Sequence, residues 1–174
     1  WKLFYGIQVT QLSSTIHPEK VLSIIPEPYL MLNLPIPKKK SASVSVSIYE
    51  CLDLYVEAET LDGENGIYNE ETKEKEAVEK VIAFWSLPDI LVMDIKRFNY
   101  TNSKNNTLVD FPIDNLDLSG YVIGYNRSSY VYNLYGVCNH MGGVNGGHYT
   151  CFVKNDNGKW YHYDDDVVTE VKDA

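Results

Sequence analysis

The chain has 174 residues, 15 basic against 24 acidic side chains, a net charge of −9 and 44% hydrophobic residues. This content suffices for one domain or two closely packed lobes, and an aromatic content of 13% excludes a disordered acidic tail. The acidic charge argues against nucleic acid and favours a basic protein or peptide as partner, while no apolar run approaches the roughly 20 residues that span a membrane.

In the first half of the chain, the sequence predicts several strands. Period-two alternation of apolar side chains predicts strands at residues 7–12 and 29–34, the second ending at Pro35. The lysine run at 38–40 predicts a solvated loop. Residues 44–48 alternate again and predict a further short strand.

Two segments of the first half predict helices. Apolar spacing of three and four residues predicts one short helix over residues 49–55. Residues 70–80, rich in Glu and Lys, predict a second helix with an exposed charged face. The segment that begins at Val81 could equally start a strand.

From Leu87 onward the pattern predicts almost pure β-structure. Residues 90–95 predict a buried strand that continues to residue 100, and further strands are predicted at 108–111, 130–138, 148–154 and 159–163. Asn157-Gly158 predicts a hairpin between the last two strands. The expected fold class is α+β, mainly antiparallel β.

A glycine-rich segment precedes the second-last predicted strand. Four glycines occur in six positions, at Gly142, Gly143, Gly146 and Gly147. They predict a loop with little backbone restriction, which is either a flexible hairpin loop or a surface that another polypeptide approaches closely. The loop would deliver His148 to the first position of the next strand.

Acidic residues end the partner strand of this predicted hairpin. A turn at Asn157-Gly158 would bring Asp164 or Asp165 opposite His148 within a residue or two. A carboxylate beside an imidazole fixes its tautomer, as in the third member of a nucleophile–base–orienter triad. Many sheets also contain such a pair for structural reasons.

No side chain of the chain has the features of a nucleophile. Cys51 falls on the apolar face of the first predicted helix, Cys138 in an apparently buried strand, and Cys151 on the strand face opposite His148. None has the glycine, asparagine or helix-start surroundings of an activated thiolate. The sequence therefore presents a base and an orienter without their nucleophile.

The histidine and cysteine content of the chain bears on whether it binds a metal and on the compartment in which it resides. His140, His148 and the neighbouring aspartates could ligate a divalent ion, but no His-x-x-x-His or Cys-x-x-Cys pattern is present, so we expect neither a metal nor a cofactor. Three cysteines are too few for a disulfide framework and indicate a cytoplasmic or nuclear protein. Because the chain begins at Trp1 rather than Met, we expect it to be an excerpt of something longer.

Several of these motifs together resemble the His-containing half of the ubiquitin-specific proteases, a family of papain-like cysteine peptidases. The resemblance covers nearly the whole chain. It rests on Asn139-His140-Met141-Gly142, Gly147-His148-Tyr149-Thr150, Lys159-Trp160-Tyr161-His162-Tyr163-Asp164-Asp165, Leu87-Pro88-Asp89-Ile90-Leu91 and Ile95-Lys96-Arg97-Phe98. Asp94 departs from the pattern. Asp110-Phe111-Pro112 and His140-Met141-Gly142-Gly143 are most similar to the subgroup whose catalytic domain is split by a long insertion.

The resemblance implies roles for the residues that match. His148 would be the general base, Asp164 its orienter, and Asp165 a neighbour assisting the oxyanion site or the histidine. The glycine-rich loop, with His140 and Tyr149 as walls, would line a channel for the Gly-Gly tail of ubiquitin. Ubiquitin and ubiquitinated proteins would be the partners, with the upstream Cys-bearing half of the same catalytic domain.

The same resemblance implies an organisation and a fold. The whole chain, 1–174, would be the C-terminal part of one catalytic domain of papain-like fold, without the Cys-bearing thumb. Residues 1–87 would form a fingers-type region and residues 88–174 the palm. Alone, the chain should be inactive for lack of the nucleophile.

The sequence departs from the family in two places. The zinc-binding Cys-x-x-Cys pairs of the fingers would fall near residues 11–15 and at Asn69 and Thr72, where no Cys is present, so the fingers should rely on sheet packing. The Cys-containing segment is also absent. Two functions remain open, a deubiquitinase or a catalytically inactive ubiquitin-binding pseudoprotease, and the intact His148 and Asp164 favour the enzyme.

Overall fold

The computed structural model describes residues 3–38, 44–70, 72–124 and 130–172. Most of the described elements are antiparallel strands, joined by one α-helix and two 3-10 turns, so the predicted α+β class is confirmed. No helix in these ranges is long and apolar enough to cross a membrane.

The strands of the first half precede and follow the helix α1 (Ile48–Val56). They are β1 (Gly6–Ser14), β2 (Val21–Tyr29), β3 (Met31–Leu34), β4 (Val46–Ser47), β5 (Glu59–Leu61), β6 (Ile67–Asn69), β7 (Glu74–Glu76) and β8 (Val78–Ser86).

The second half consists of short strands and a final series of longer ones. These are β9 (Val92–Ile95), β10 (Val109–Asp110), β11 (Leu116–Asp117), β12 (Val131–Tyr132), β13 (Gly136–Gly143), β14 (Gly146–Lys154), β15 (Trp160–Asp164) and β16 (Val167–Glu170). The 3-10 turns are Gly63–Asn65 and Ser119–Tyr121.

The first large sheet has the strand order β2-β1-β8-β5, and all its neighbours are antiparallel. The prediction of a helix over residues 70–80 is wrong, because β7 and the start of β8 occupy this segment. Val78 and Phe84 are buried on β8 while Glu79 remains exposed. Pairing on both sides of β8 outweighs the local helix propensity of Glu and Lys.

The predicted helix at residues 49–55 is confirmed as α1. Ser47 caps it: its side chain accepts a hydrogen bond from the amide of Tyr49, and Glu50 accepts one from the Ser47 amide. This capping box satisfies amide groups that the first turn leaves without partners. Ile48, Cys51 and Leu52 are buried on the helix face that packs into the core.

Parallel pairs connect distant parts of the chain around this core. β3 pairs with β9, and β4 pairs with β10. Leu32 and Leu34 on β3 are fully buried. The buried strand predicted at residues 90–95 is shorter and more exposed than expected, since β9 begins at an exposed Val92; beyond it, only an isolated bridge forms at Phe98.

The second large sheet is a meander of order β13-β14-β15-β16. The predicted hairpin between residues 148–154 and 159–163 is confirmed as β14 and β15. The strand predicted at residues 130–138 is divided into β12 and β13. The predicted lysine loop lies largely outside the described residues, which end this stretch at Lys38.

The glycine-rich segment is not the open loop that the sequence predicts. β13 extends to Gly143 and β14 begins at Gly146, so only Val144 and Asn145 form the turn. His148 is therefore the third residue of its strand rather than the first. Because Gly142 faces Gly147 across the ladder, the two strands approach without side chains between them.

Candidate active site

The meander brings His148 and Asp164 together. Strand pairing of β14 with β15 places Cys151 opposite Tyr163, so Asp164 follows on the face that carries His148. The Nε2 atom of His148 lies 2.5 Å from Oδ1 of Asp164. The register argument from the sequence allowed Asp164 or Asp165 as the neighbour, and in the structure Asp164 makes the hydrogen bond.

This pair fixes the chemical state of the imidazole. The hydrogen bond with Asp164 and the charge of that carboxylate raise the pKa of His148, and Asp165 adds a smaller effect in the same direction. An ionised carboxylate only accepts hydrogen bonds, so the shared proton belongs to Nε2. The other ring nitrogen, Nδ1, is then the one that can accept a proton from a nucleophile.

Asp165 belongs to the tight turn that follows the pair. Asp164 faces Val167 across the β15–β16 ladder, and Asp165 has a positive φ of 51° in the two-residue connection. Ligand atoms of His148, Asp164 and Asp165 lie within 4.8 Å of one another. A cation at this place would compete with the existing contact between Nε2 and Asp164, so the donor set fits a base and its orienter better than a metal.

The turn end of the β13–β14 hairpin, which contains Gly142, Gly143, Gly146 and Gly147 and is called the glycine hairpin below, packs against aromatic rings on the sheet face opposite His148. The ring centroid of His140 lies 4.7 Å from that of Tyr149 and 5.7 Å from that of Phe98. A Cβ atom added to Gly147 would lie 2.2 Å from Nε2 of His140. Gly142, with a φ of +126°, would place a Cβ atom 2.6 Å from the Gly146 carbonyl oxygen. The close approach of these strands therefore requires glycine at both positions.

Lys104 is a contact of this hairpin that sequence reasoning missed. Its Nζ atom donates to the carbonyl oxygen of His140 at 2.6 Å and to that of Gly142 at 3.3 Å. The Nδ1 atom of His140 is buried and has no hydrogen-bond partner among the described residues. No sequence signal separates Lys104 from the other polar residues of its turn, because its role depends on contacts across the fold.

The three cysteines lie away from His148. Cys51 is fully buried in the core, and burial raises the pKa of its thiol. Cys138 and Cys151 face each other on the sheet surface opposite His148. The sequence placed Cys138 in a buried strand, but it is exposed because β13 lies at the edge of the meander; Cys151 is half-buried rather than deep in the core.

Hydrogen bonds occupy the positions where the family resemblance would have placed zinc ligands. Asn69 donates from its side-chain nitrogen to Oε1 of Glu76 at 2.8 Å, and the Thr72 hydroxyl donates to the same oxygen at 3.1 Å. Just beyond the end of β1, the Thr15 hydroxyl donates to the Ala77 carbonyl oxygen at 3.0 Å. The two bonds to Glu76 close the β6–β7 hairpin, and the Thr15 bond joins the end of β1 to the residue between β7 and β8.

An antiparallel sheet that presents a His–Asp pair, in a mainly antiparallel α+β fold with a helix packed on its core, is consistent with the fold of the papain-like cysteine peptidases. The family model of ubiquitin carboxyl-terminal hydrolase matches residues 2–174, and the chain belongs to this family. It carries part of a ubiquitin-specific protease catalytic domain.

Relatives of known sequence and structure agree with this assignment. The chain is 42% identical over 140 residues to ubiquitin carboxyl-terminal hydrolase 10 of Arabidopsis thaliana, and 43% identical over 132 residues to ubiquitin carboxyl-terminal hydrolase 15 of Homo sapiens. These matches cover 78% and 74% of this chain, but only 15% and 14% of the relatives.

The solved structure of the SAGA Ubp8/Sgf11/Sus1/Sgf73 DUB module bound to ubiquitin aldehyde superimposes with a TM-score of 0.79 at 25% identity. That match covers 98% of this chain and 38% of the other. The same module bound to monoubiquitin also matches, with a TM-score of 0.79, 26% identity, and coverage of 98% and 37%.

Proposed function

We propose that this chain supplies the general base, its orienter and part of the substrate channel of a cysteine-type deubiquitinase. The observation that carries the proposal is the contact between Nε2 of His148 and Oδ1 of Asp164 on a half-exposed sheet face. The raised pKa of His148 supports it, because a base paired with a thiol must hold the proton it accepts. Family membership supports the reaction class.

In this mechanism a cysteine thiol supplied from outside the chain attacks the carbonyl carbon of the C-terminal glycine of ubiquitin. Nδ1 of His148 accepts the thiol proton and the carbonyl oxygen becomes an oxyanion, while the charge of Asp165 helps to stabilise the protonated His148. The proton then passes to the leaving amine, and the acyl group remains on sulfur. A water molecule gives its proton to His148 and attacks the thioester; the C–S bond breaks, the ubiquitin carboxylate is released, and the cysteine regains its proton from His148.

The glycine hairpin suits the binding of a narrow peptide tail. Residues Gly142, Gly143, Gly146 and Gly147 carry no side chains that would obstruct a neighbouring backbone, while His140 and Tyr149 form one wall. The net charge of −9 complements a basic tail. We propose a cytoplasmic or nuclear location, where the three free cysteines remain reduced.

The competing function is a ubiquitin-binding pseudoprotease that keeps the fold without turnover. A non-catalytic module has no chemical use for the His148–Asp164 contact, and this favours the enzyme. The two functions are separated by whether the full-length protein reacts at a cysteine with a ubiquitin whose C-terminus carries an electrophile.

The test is hydrolysis of a fluorogenic ubiquitin C-terminal amide by the full-length protein. We expect turnover by the wild type and a loss of several orders of magnitude in kcat for His148→Ala. His17→Ala is the matched control, because the side chain of this histidine is exposed and pairs with Glu19 far from the candidate site in the sequence. The 174-residue chain alone should show no turnover.

Undiminished kcat in His148→Ala would overturn the assignment of the base. A full-length wild type that binds ubiquitin but neither turns over the amide nor forms an adduct with the electrophilic ubiquitin would establish the pseudoprotease instead.

A further inference from the structure

Two cysteines that the proposed reaction does not use face each other on the β13–β16 sheet. Cys138 on β13 and Cys151 on β14 are direct register partners in an antiparallel ladder. Both are free thiols; Cys138 is exposed and Cys151 is half-buried. They share the sheet surface with His140 and Tyr149, opposite the surface that carries His148.

The hydrogen-bond pattern of the ladder shows whether Cys138 and Cys151 form a hydrogen-bonded or a non-hydrogen-bonded pair. The amide of Lys154 donates to the carbonyl oxygen of Tyr135, so these two residues form a hydrogen-bonded pair. Pairs alternate along an antiparallel ladder, and three steps away Cys138 and Cys151 form a non-hydrogen-bonded pair. Side chains lie closest in such pairs, with Cα atoms about 4.5 Å apart. This separation falls within the range of about 4.4–6.8 Å in which disulfides form.

We propose that Cys138 and Cys151 are a redox modification site, which a peroxide oxidises to an intramolecular disulfide. The exposed Cys138 thiolate attacks one peroxide oxygen, the O–O bond breaks, and Cys138 becomes a sulfenic acid while hydroxide leaves and is protonated to water. The thiolate of Cys151 then attacks the Cys138 sulfur, an S–S bond replaces the S–O bond, and a second water leaves. Two thiols and one hydrogen peroxide thus yield one disulfide and two waters.

The chain contains its own control for this reaction. Cys51 is fully buried in the core, and burial raises its pKa, so it has neither the exposure nor the thiolate population that peroxide requires. No other cysteine is present in the 174 residues. Selective oxidation of the pair over Cys51 is therefore a consequence of the fold, and it does not depend on the deubiquitinase mechanism.

The experiment maps thiols in the native full-length protein. The protein is treated with hydrogen peroxide, then unfolded and alkylated with iodoacetamide, and digested with trypsin. Cleavage after Arg127 and Lys154 releases one peptide that contains both Cys138 and Cys151. We expect this peptide to lack both carbamidomethyl groups of the untreated sample, with no hydrogens in their place, and dithiothreitol to restore both alkylation sites.

Two comparisons decide the outcome. The peptide containing Cys51 should remain alkylated, and in Cys138→Ser the thiol of Cys151 should stay alkylatable after the same treatment. The proposal is overturned if the pair is alkylated as fully as Cys51, if oxidation stops at sulfinic acid, or if Cys151 in Cys138→Ser is lost to another disulfide partner. Thermal unfolding of Cys138→Ser verifies that this exposed substitution leaves the fold intact.

Discussion

His148 and Asp164 form a pair whose charge state depends on pH. The partner carboxylate raises the pKa of His148, so the protonated pair stabilises the folded state most at low pH. That contribution is complete below the unfolded histidine pKa of about 6.5 and is lost as the pH rises through the higher folded value.

Asp164→Asn should lower the pKa of His148, because the amide neither carries the charge nor favours the imidazolium. The measurement is an NMR titration of the His148 ring. Asp165→Asn should lower the pKa by less, since Asp165 acts only through its charge. An unchanged His148 pKa in Asp164→Asn would show that the short contact is not maintained in solution.

Gly147 and Gly143 provide a matched test of close approach in the glycine hairpin. A Cβ at Gly147 would meet Nε2 of His140 and the carbonyl oxygen of Met141, at 2.2 and 2.3 Å, whereas nothing lies within 4 Å of one at Gly143. We expect Gly147→Ala to reduce the free energy of unfolding by about 1–3 kcal/mol and Gly143→Ala to have a much smaller effect. Denaturant unfolding of both variants measures the difference. Equal effects would mean that the hairpin relaxes around a side chain.

At the residue scale the sequence predicted more of the site than of its surroundings. His148 and Asp164 could be paired because a hairpin register needs only the turn position and period-two counting. Lys104 could not be predicted, since its contact with His140 joins a turn to a strand that is 36 residues away in sequence. The burial of Cys138 was mispredicted because a local apolar pattern does not indicate which strand forms a sheet edge.

Among the elements, the β6–β7 hairpin is held closed by side-chain hydrogen bonds to Glu76. Glu76 accepts from both Asn69 and Thr72, so Glu76→Ala removes two hydrogen bonds at once. We expect a loss of about 1–2 kcal/mol in the free energy of unfolding. Glu74→Ala is the control, because Glu74 is exposed on the same strand. Thermal unfolding measures both variants.

The hydrogen bonds that hold the β6–β7 hairpin closed also predict how a metal chelator affects thermal unfolding. Addition of EDTA should leave the midpoint of thermal unfolding unchanged, since the hairpin is closed by side-chain oxygens and nitrogens of its own. A fall in the midpoint on chelation, reversed by zinc, would contradict this reading.

Element types followed local signals where these agreed with tertiary contacts. The helix α1 was predictable because its apolar spacing and its Ser47 cap act together. Residues 70–80 were mispredicted because their helix propensity competes with ladders that β8 forms on both sides. The parallel pairs of β3 with β9 and β4 with β10 left no local signature at all.

Taken as a whole, the 174 residues carry a net charge of −9. If the basic tail of ubiquitin is the substrate, as proposed, this charge should attract it, and salt should screen the attraction. For the full-length protein, we expect kcat/KM for a ubiquitin substrate to fall as salt rises from about 50 to about 200 mM, chiefly through slower association. A non-ionic osmolyte at the same osmolarity is the control. A kcat/KM independent of salt would show that charge does not steer binding.

The two parallel pairs also determine the order in which the chain can fold. Each strand of the β13–β16 meander pairs with its neighbour in sequence, whereas Met31 must meet Val92 and Val46 must meet Val109. Such distant contacts require a loss of loop-closure entropy before their packing and hydrogen bonds contribute favourable free energy, so we expect them to form last. During synthesis β3 emerges well before β9, and its apolar Leu32 and Leu34 remain uncovered until then. The growing chain is therefore a natural client for chaperones that bind extended apolar segments.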